Sequence, residues 1–199
     1  MSYPTIVGVD YSITSPAVTV ASGDVFSYSM CQQYFVTTKP KYARSYMGGQ
    51  IRGLLVSKSH ETQTQRFKDI AKILYVNVFK PGAEDVYVRI EGYAFAAKGA
   101  VFNIAENTGV LKYMLDEDGI PFDTIAPTEL KSFASGKGNA DKALMHESFY
   151  KETGVDLAAV FGQDSGNPGN PTTDLVDSYF IAKSLWYAHK GSTPPRRIS

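Results

Sequence analysis

The first third of the chain carries its apolar residues in short β-branched runs, and the remainder carries them mostly at helical spacing. Residues 5–10, Thr-Ile-Val-Gly-Val-Asp, read as a strand ending on a carboxylate, 17–21 as a second strand after a Ser/Thr/Pro turn, and 25–37 as a third. Connections this short favour hairpins, so a three-stranded antiparallel meander is expected. Residues 38–59 show no period, contain Gly48-Gly49 and several cations, and read as a long loop or flap. Between 61 and 79, Phe67, Ile70, Ala71, Leu74 and Val78 recur at helical spacing until Pro81-Gly82 stops the run. Val86, Val88 and Ile90 then alternate in a strand that ends on Glu91-Gly92. A helix over 100–115 stops near Gly119, and a strand over 121–125 leads to Pro127. This β-α-β-α-β rhythm predicts a parallel sheet segment. A short helix at 130–133, a Ser135-Gly136-Lys137-Gly138 turn and a helix capped by Asn139 and reaching about 153 come next. A Gly/Asn/Pro loop over 162–171 precedes a last helix over 172–188, with Leu175, Tyr179, Ala182 and Trp186 on one apolar stripe. The expected class is α/β: a mixed five-stranded sheet, an antiparallel meander plus two parallel strands, flanked by helices.

A length of 199 residues suits one hydrophobic core, and no internal repeat divides it, so 1–190 is expected to be a single domain followed by a polar tail at 191–199. A hydrophobic fraction of 43%, with 13 Tyr and 11 Phe, supplies the apolar mass for that core. No apolar run approaches the roughly 18 residues that span a bilayer, and the start lacks the charged flank and apolar core of a secretion signal. A cytoplasmic protein with no membrane partner is expected. Cys31 is the single cysteine, which excludes an internal disulfide and a thiolate metal cluster and leaves a small buried thiol. His60, His146 and His189 lack the spacing of a zinc site. Formal charge is zero, from 20 basic and 20 acidic side chains, yet the charges are not evenly spread. Between Lys39 and Lys72 the cations Lys39, Lys41, Arg44, Arg52, Lys58, Arg66, Lys68 and Lys72 face only Glu61 and Asp69, and Lys190, Arg196 and Arg197 follow near the end. Such stretches form an ordinary solvated face or follow phosphates.

Four carboxylates sit where buried elements surface: Asp10 ends the first strand, Glu91 ends the central parallel strand, and Asp174 and Asp177 lie on the last helix. A spacing of three puts the last two on one helical face. Each alone reads equally as a surface acid, and Asp174 as a first-turn acid favoured by the helix dipole. Together they would raise one another's pKa values, an arrangement that divalent cations relieve. Mg²⁺ suits such a site because it binds few carboxylates, keeps waters and accepts phosphate oxygens. Two ions so held activate water and stabilise the leaving oxygen of a phosphodiester.

The pattern resembles the RuvC-type Holliday-junction resolvases, particularly the phage-encoded branch, within the RNase H-like superfamily. The resemblance runs in order through Ile6-Val7-Gly8-Val9-Asp10-Tyr11-Ser12, Val88-Arg89-Ile90-Glu91-Gly92-Tyr93, Ala126-Pro127 with Lys131, Gly136-Lys137-Gly138 and Lys142, and Asp174-Leu175-Val176-Asp177-Ser178. It implies an RNase H-like fold and a structure-specific endonuclease that nicks four-way DNA junctions as a homodimer in a bacterial cytoplasm, that of a phage-infected host included. It also implies two Mg²⁺ ions, replaceable by Mn²⁺, on Asp10, Glu91, Asp174 and Asp177. DNA contacts are implied for Lys131 and Lys142, with Lys137 between them, and for Tyr93 and Phe95, whose rings either stack on a splayed base or pack in the core. The chain departs from the bacterial pattern in a longer Asp10-to-Glu91 interval and in the 162–171 loop, which leaves strict four-way preference open. A flap or fork nuclease and a junction-binding scaffold without turnover are the alternatives. Gly136-Lys137-Gly138 is not a P-loop, since Gly-x-x-x-x-Gly-Lys-Ser/Thr is absent, and a sugar-kinase or actin-like ATPase would need a second glycine-rich phosphate segment.

Overall fold

Alternation along the first strand decides the layering. In β1 (Thr5–Asp10), Val7 and Val9 point into one apolar cluster, whereas Ile6 packs on the opposite side with Ala182 and Leu185. The structure, a computed structural model, describes residues 3–79, 85–93 and 100–190, the side chains of 100 and 101 excepted. β1 pairs antiparallel with β2 (Ala17–Ser22), which pairs antiparallel with β3 (Cys31–Thr37), giving the expected meander. On its other side β1 pairs in parallel with β6 (Val86–Glu91), and β6 in parallel with β7 (Phe122–Ile125). The helices α1 (Gln63–Val78) and α2 (Ala100–Glu117) cover one face of the sheet. The other face carries α3 (Pro127–Ser135), α4 (Lys142–Thr153), the short α5 (Leu157–Val160) and α6 (Thr172–His189).

The strand count is the main correction. Residues 38–59 are not a loop: a 3-10 turn at Pro40–Tyr42 leads to β4 (Ser45–Tyr46) and β5 (Ile51–Leu55), making seven strands in the order β4-β5-β3-β2-β1-β6-β7. β5 runs parallel to β3 and antiparallel to β4, so its register depends on partners and leaves little alternation to read. Gly53 is required there, because a Cβ would stand 2.0 Å from the Tyr42 carbonyl oxygen. Two boundaries also move. The third strand begins at Cys31, after a 3-10 turn at Tyr28–Met30, rather than at Val25. The helix expected to start from Asn139 is capped instead by Asp141, whose Oδ1 accepts the Leu144 N–H at 2.8 Å, while residues 137–140 form a turn closed by Ala140 N–H to Lys137 O. Pro81-Gly82 and the tail with Arg196 and Arg197 lie outside the described residues.

α6 is the central support. Leu175, Val176, Phe180 and Ile181 are fully buried, each contributing about 1.5–3 kcal/mol of apolar burial. A buried polar ladder ties it to the sheet: Gln33 Nε2 donates to Thr19 Oγ1 at 2.9 Å and to the Leu175 carbonyl at 3.0 Å, and the Thr19 and Ser178 hydroxyls pair at 2.8 Å. The Tyr28 hydroxyl donates to Gln33 Oε1 at 3.0 Å, so the ladder is satisfied from both ends. Cys31 is buried and donates weakly to the Ser27 carbonyl, and burial pushes its thiol up to about 12. No helix among the described residues is long and apolar enough to cross a membrane.

Candidate active site

β1, β6 and the start of α6 come together at one edge of the sheet. The register Val9 to Ile90 sets Asp10 and Glu91 side by side as their strands end. Both lie on the α6 face, Asp10 in line with Ile6 and Gly8, Glu91 in line with Tyr87 and with Arg89, whose Nη1 donates to Ser184 at 3.2 Å. Gly8 marks the close approach of strand and helix: a Cβ there would stand 2.2 Å from the Ala182 nitrogen and 2.4 Å from the Ser178 carbonyl oxygen. From that contact, two residues along β1 advance about 6.6 Å. Four residues back along α6, from Ser178 to Asp174, cover about 6 Å. Asp10 therefore comes level with Asp174, and Asp177 joins them from the next turn.

The electrostatics agree with that geometry. Asp10 and Asp174 are 7% and 6% exposed, and Glu91 and Asp177 are half-buried. Burial pushes Asp10 well above the usual carboxylate range, and the charges of Asp174, Glu91 and Asp177 push it further. Asp177 rises for the same reasons, through burial and then Glu91 and Asp174, against the pull of Lys131 and Lys142. Burial raises Glu91 to about 7, with Lys131 opposing and Asp174 adding to the rise. Asp174 is raised by burial only to about 6, because hydroxyl donors and Lys142 favour its charged form.

Those donors form a cradle around Asp174. Ser12 donates to Oδ2 at 3.2 Å and Ser15 donates to the same oxygen. The Thr173 hydroxyl is shared between the Asn170 side-chain carbonyl at 2.7 Å and Asp174 Oδ1 at 3.2 Å. Asn170 Nδ2 donates to Ser15 Oγ at 2.8 Å, closing the ring, and Arg66 Nη2 pins the β1–β2 turn through the Ile13 carbonyl at 2.9 Å. Sequence reasoning missed Ser15, Asn170 and Thr173. The available signal was position: hydroxyls in the turn after a strand-terminal acid, and Asn and Thr just ahead of the acid-bearing helix.

Of the expected DNA-contacting residues, the half-buried Lys131 of α3 and the exposed Lys142, first residue of α4, face the acids and line a cavity of about 130 Å³ with Thr173 and Asp177. Lys137 is exposed in the turn after α3, outside that cavity. Tyr93 is half-buried with the Lys112 ammonium 5.2 Å from its ring, and Phe95 lies outside the described residues.

Four oxygen-donor carboxylates that raise one another's proton affinity have the chemistry of a hard-cation site. Among the described residues no three His, Cys, Asp or Glu side chains stand as a ready ligating group. That spread still fits Mg²⁺, which takes one or two carboxylates and completes its shell with waters and phosphate oxygens.

No family model matches the chain. It is 28% identical over 102 residues to the crossover junction endodeoxyribonuclease RuvC of Gloeobacter violaceus, a match covering 51% of this chain and 53% of that protein. The match thus spans about half the length of this curated relative. Among solved structures, Thermus thermophilus RuvC superposes with a TM-score of 0.54 at 16% identity, covering 94% of this chain and 97% of the other. T. thermophilus RuvC in complex with Holliday junction substrate gives 0.55 at 19% identity over 95% and 97%. In matched sequence the chain is similar to the RuvC-type resolvases, and its fold is the RNase H-like fold of the RuvC structures.

Proposed function

We propose that this protein is a metal-dependent endonuclease that hydrolyses phosphodiesters in branched DNA, acting as a Holliday-junction resolvase. What supports the reading is that Asp10, Glu91, Asp174 and Asp177, from three remote elements, lie close enough for their charges to act on one another and for Lys131 and Lys142 to oppose them. The sequence match to a crossover junction endodeoxyribonuclease and the shared fold with a RuvC solved on a Holliday junction support the choice of substrate.

Asp10, Glu91, Asp174 and Asp177 would hold the metal. Two Mg²⁺ ions held there, or Mn²⁺ in their place, would supply an activated water and stabilisation of the leaving oxygen. The chain's own residues do the rest. Ser12, Ser15 and Thr173 favour the charged form of Asp174 against its burial and fix its direction, and Lys131 and Lys142 draw the phosphate backbone to the acids. Lys137, Tyr93 and Phe95 belong to the proposed DNA contacts by their places in the motifs. A homodimer, one subunit for each nicked strand, in a bacterial or phage-infected cytoplasm completes the reading.

Cleavage of a synthetic four-way junction in Mg²⁺ tests it. Wild type is expected to cut, and Asp10→Asn to lose about 100- to 1,000-fold, the scale of removing a principal charge-stabilising group. Equal rates would end the proposal. Linear duplex, flap and fork substrates run beside the junction separate a resolvase from a broader nuclease. Tight junction binding without cleavage in Mg²⁺ or Mn²⁺ would mean a scaffold.

A further inference from the structure

The acids have the cavity of Lys131 and Lys142 on one side, and on the other a second cavity to which the proposed cleavage assigns no role. It measures about 330 Å³ and opens beside the β1–β2 turn, lined by Thr14, Ser15, Thr38, Lys39, Tyr42 and Asn170 among others. β1, β3 and β5 all run toward this edge, since β3 pairs antiparallel with β2 and parallel with β5. Its floor is tied to the acidic centre: Asn170 donates to Ser15 at 2.8 Å, and Ser15 donates to Asp174.

The outer wall is built by residues 38–55. Gly53 N–H donates to the Arg44 carbonyl at 3.0 Å, and the absent Cβ at Gly53 lets the Tyr42 backbone lie directly on β5. The Lys39 backbone N–H donates to Thr37 Oγ1 at 3.1 Å, and the Tyr42 ring packs edge-on against Phe161 with centroids 6.0 Å apart. The wall is thus a fixed part of the sheet edge. At its rim, the Lys39 and Lys41 ammonium groups stand 5.8 and 4.7 Å from the Tyr42 ring, and Arg44 stands 5.0 Å from the Tyr46 ring. Among the described residues none of these three cations makes a salt bridge to a carboxylate.

A cation with no acid partner among the described residues, two hydroxyls and a ring, set around a cavity next to the proposed phosphodiester-cutting centre, match one kind of occupant. We propose that this cavity is a subsite for one nucleotide of the DNA strand adjoining the phosphate at the acids. Lys39 and Lys41 take that nucleotide's phosphate, the Thr14 and Thr38 hydroxyls bond its sugar or base edge, and the Tyr42 ring packs against it. The volume falls in the range of about 300–1,000 Å³ that encloses small organic ligands. The strand then passes from the Lys131/Lys142 cavity, over the acids, to Tyr42. The proposal rests on the nuclease reading for its substrate, but its own evidence is the cavity and its rim.

Binding of fluorescein-labelled DNA, followed by anisotropy in EDTA so that no cleavage intrudes, tests it with two probes: a 20-nucleotide single strand and a four-way junction. Lys39→Ala, at an exposed side chain, and Thr38→Trp, which fills the cavity without removing charge, are each expected to weaken both probes about tenfold. Lys39→Ala should also flatten the single-strand plot of log affinity against log salt by about 0.7, the contribution of one phosphate contact. Lys151→Ala, an exposed cation on α4 paired with Glu147, is expected to bind within about twofold of wild type. Wild-type affinity in Lys39→Ala overturns the subsite, as does an equal loss in Lys151→Ala. If Thr38→Trp fails to melt cooperatively, Lys39→Ala and its salt slope decide alone. Junction cleavage by wild type with unchanged binding in Lys39→Ala sinks the subsite and spares the nuclease. Lys39-dependent binding with no cleavage of any branched substrate does the reverse, and a wild type that binds neither probe removes both.

Discussion

Glu91 at about 7 and Asp174 at about 6 sit above the ordinary values of 4.5 and 3.8 because burial disfavours both charges, with the Asp174 charge adding to the rise at Glu91. A carboxyl whose folded pKa lies above its unfolded one binds its proton more tightly in the folded state. The stability this gives is complete below the unfolded values and is lost as pH rises through the folded ones. The melting temperature measured in EDTA is therefore expected to fall between about pH 5 and pH 8, and Asp177→Asn, which removes one of the repelling charges, to flatten that fall. A metal-free melting temperature that rises over this window would mean the acids do not meet. The same carboxylates were visible in the sequence by their positions at the ends of strands and on a helix face. The hydroxyls of Ser12, Ser15 and Thr173 were not, because a Ser or Thr near a turn has many local uses, and only the arrival of Asp174 from 162 residues beyond Ser12 gives this one.

Among the elements, β1 and α6 form the contact on which the site depends, and Gly8 is its narrowest point. The clash of an added methyl would fall on helix backbone, which cannot rotate away. Gly8→Ala is expected to cost about 3 kcal/mol in urea unfolding, the upper part of the usual range for overpacking a core. It should also lower junction cleavage, since moving α6 moves Asp174 and Asp177 away from Asp10. Unchanged stability in Gly8→Ala would mean the helix sits farther from the strand than described. Most elements were legible from periodicity, including both parallel strands and the three long helices α1, α2 and α6. β4 and β5 were not, because the pairing of Ser45–Tyr46 with Ile51–Arg52 is short and β5 gains its main partner, β3, only through a parallel pairing. Such a pairing has no turn signature in the sequence.

For the whole molecule, the C-terminal ends of five parallel-running strands, β1, β3, β5, β6 and β7, share one edge, with a cavity bearing Lys131 and Lys142 on one side of the acids and one bearing Lys39 on the other. A zero net charge hides this layout, because it sums 20 basic and 20 acidic side chains without regard to where they lie. If two copies act together on one junction, sedimentation equilibrium at micromolar protein should give a dimer mass rather than the 21.8 kDa of one chain. A monomer mass both alone and bound to a junction would remove the paired-nick part of the proposal. By itself the sequence determined the two faces of β6, where β1 and β6 end on acids, and that Asp174 and Asp177 share a helix face, since alternation and helical spacing are local properties. Tertiary structure alone decided that these acids meet, which hydroxyls orient Asp174, and that residues 38–55 extend the sheet and wall a cavity. Register and helix docking are set by burial between segments distant along the chain, and no local pattern records which partner a segment will find.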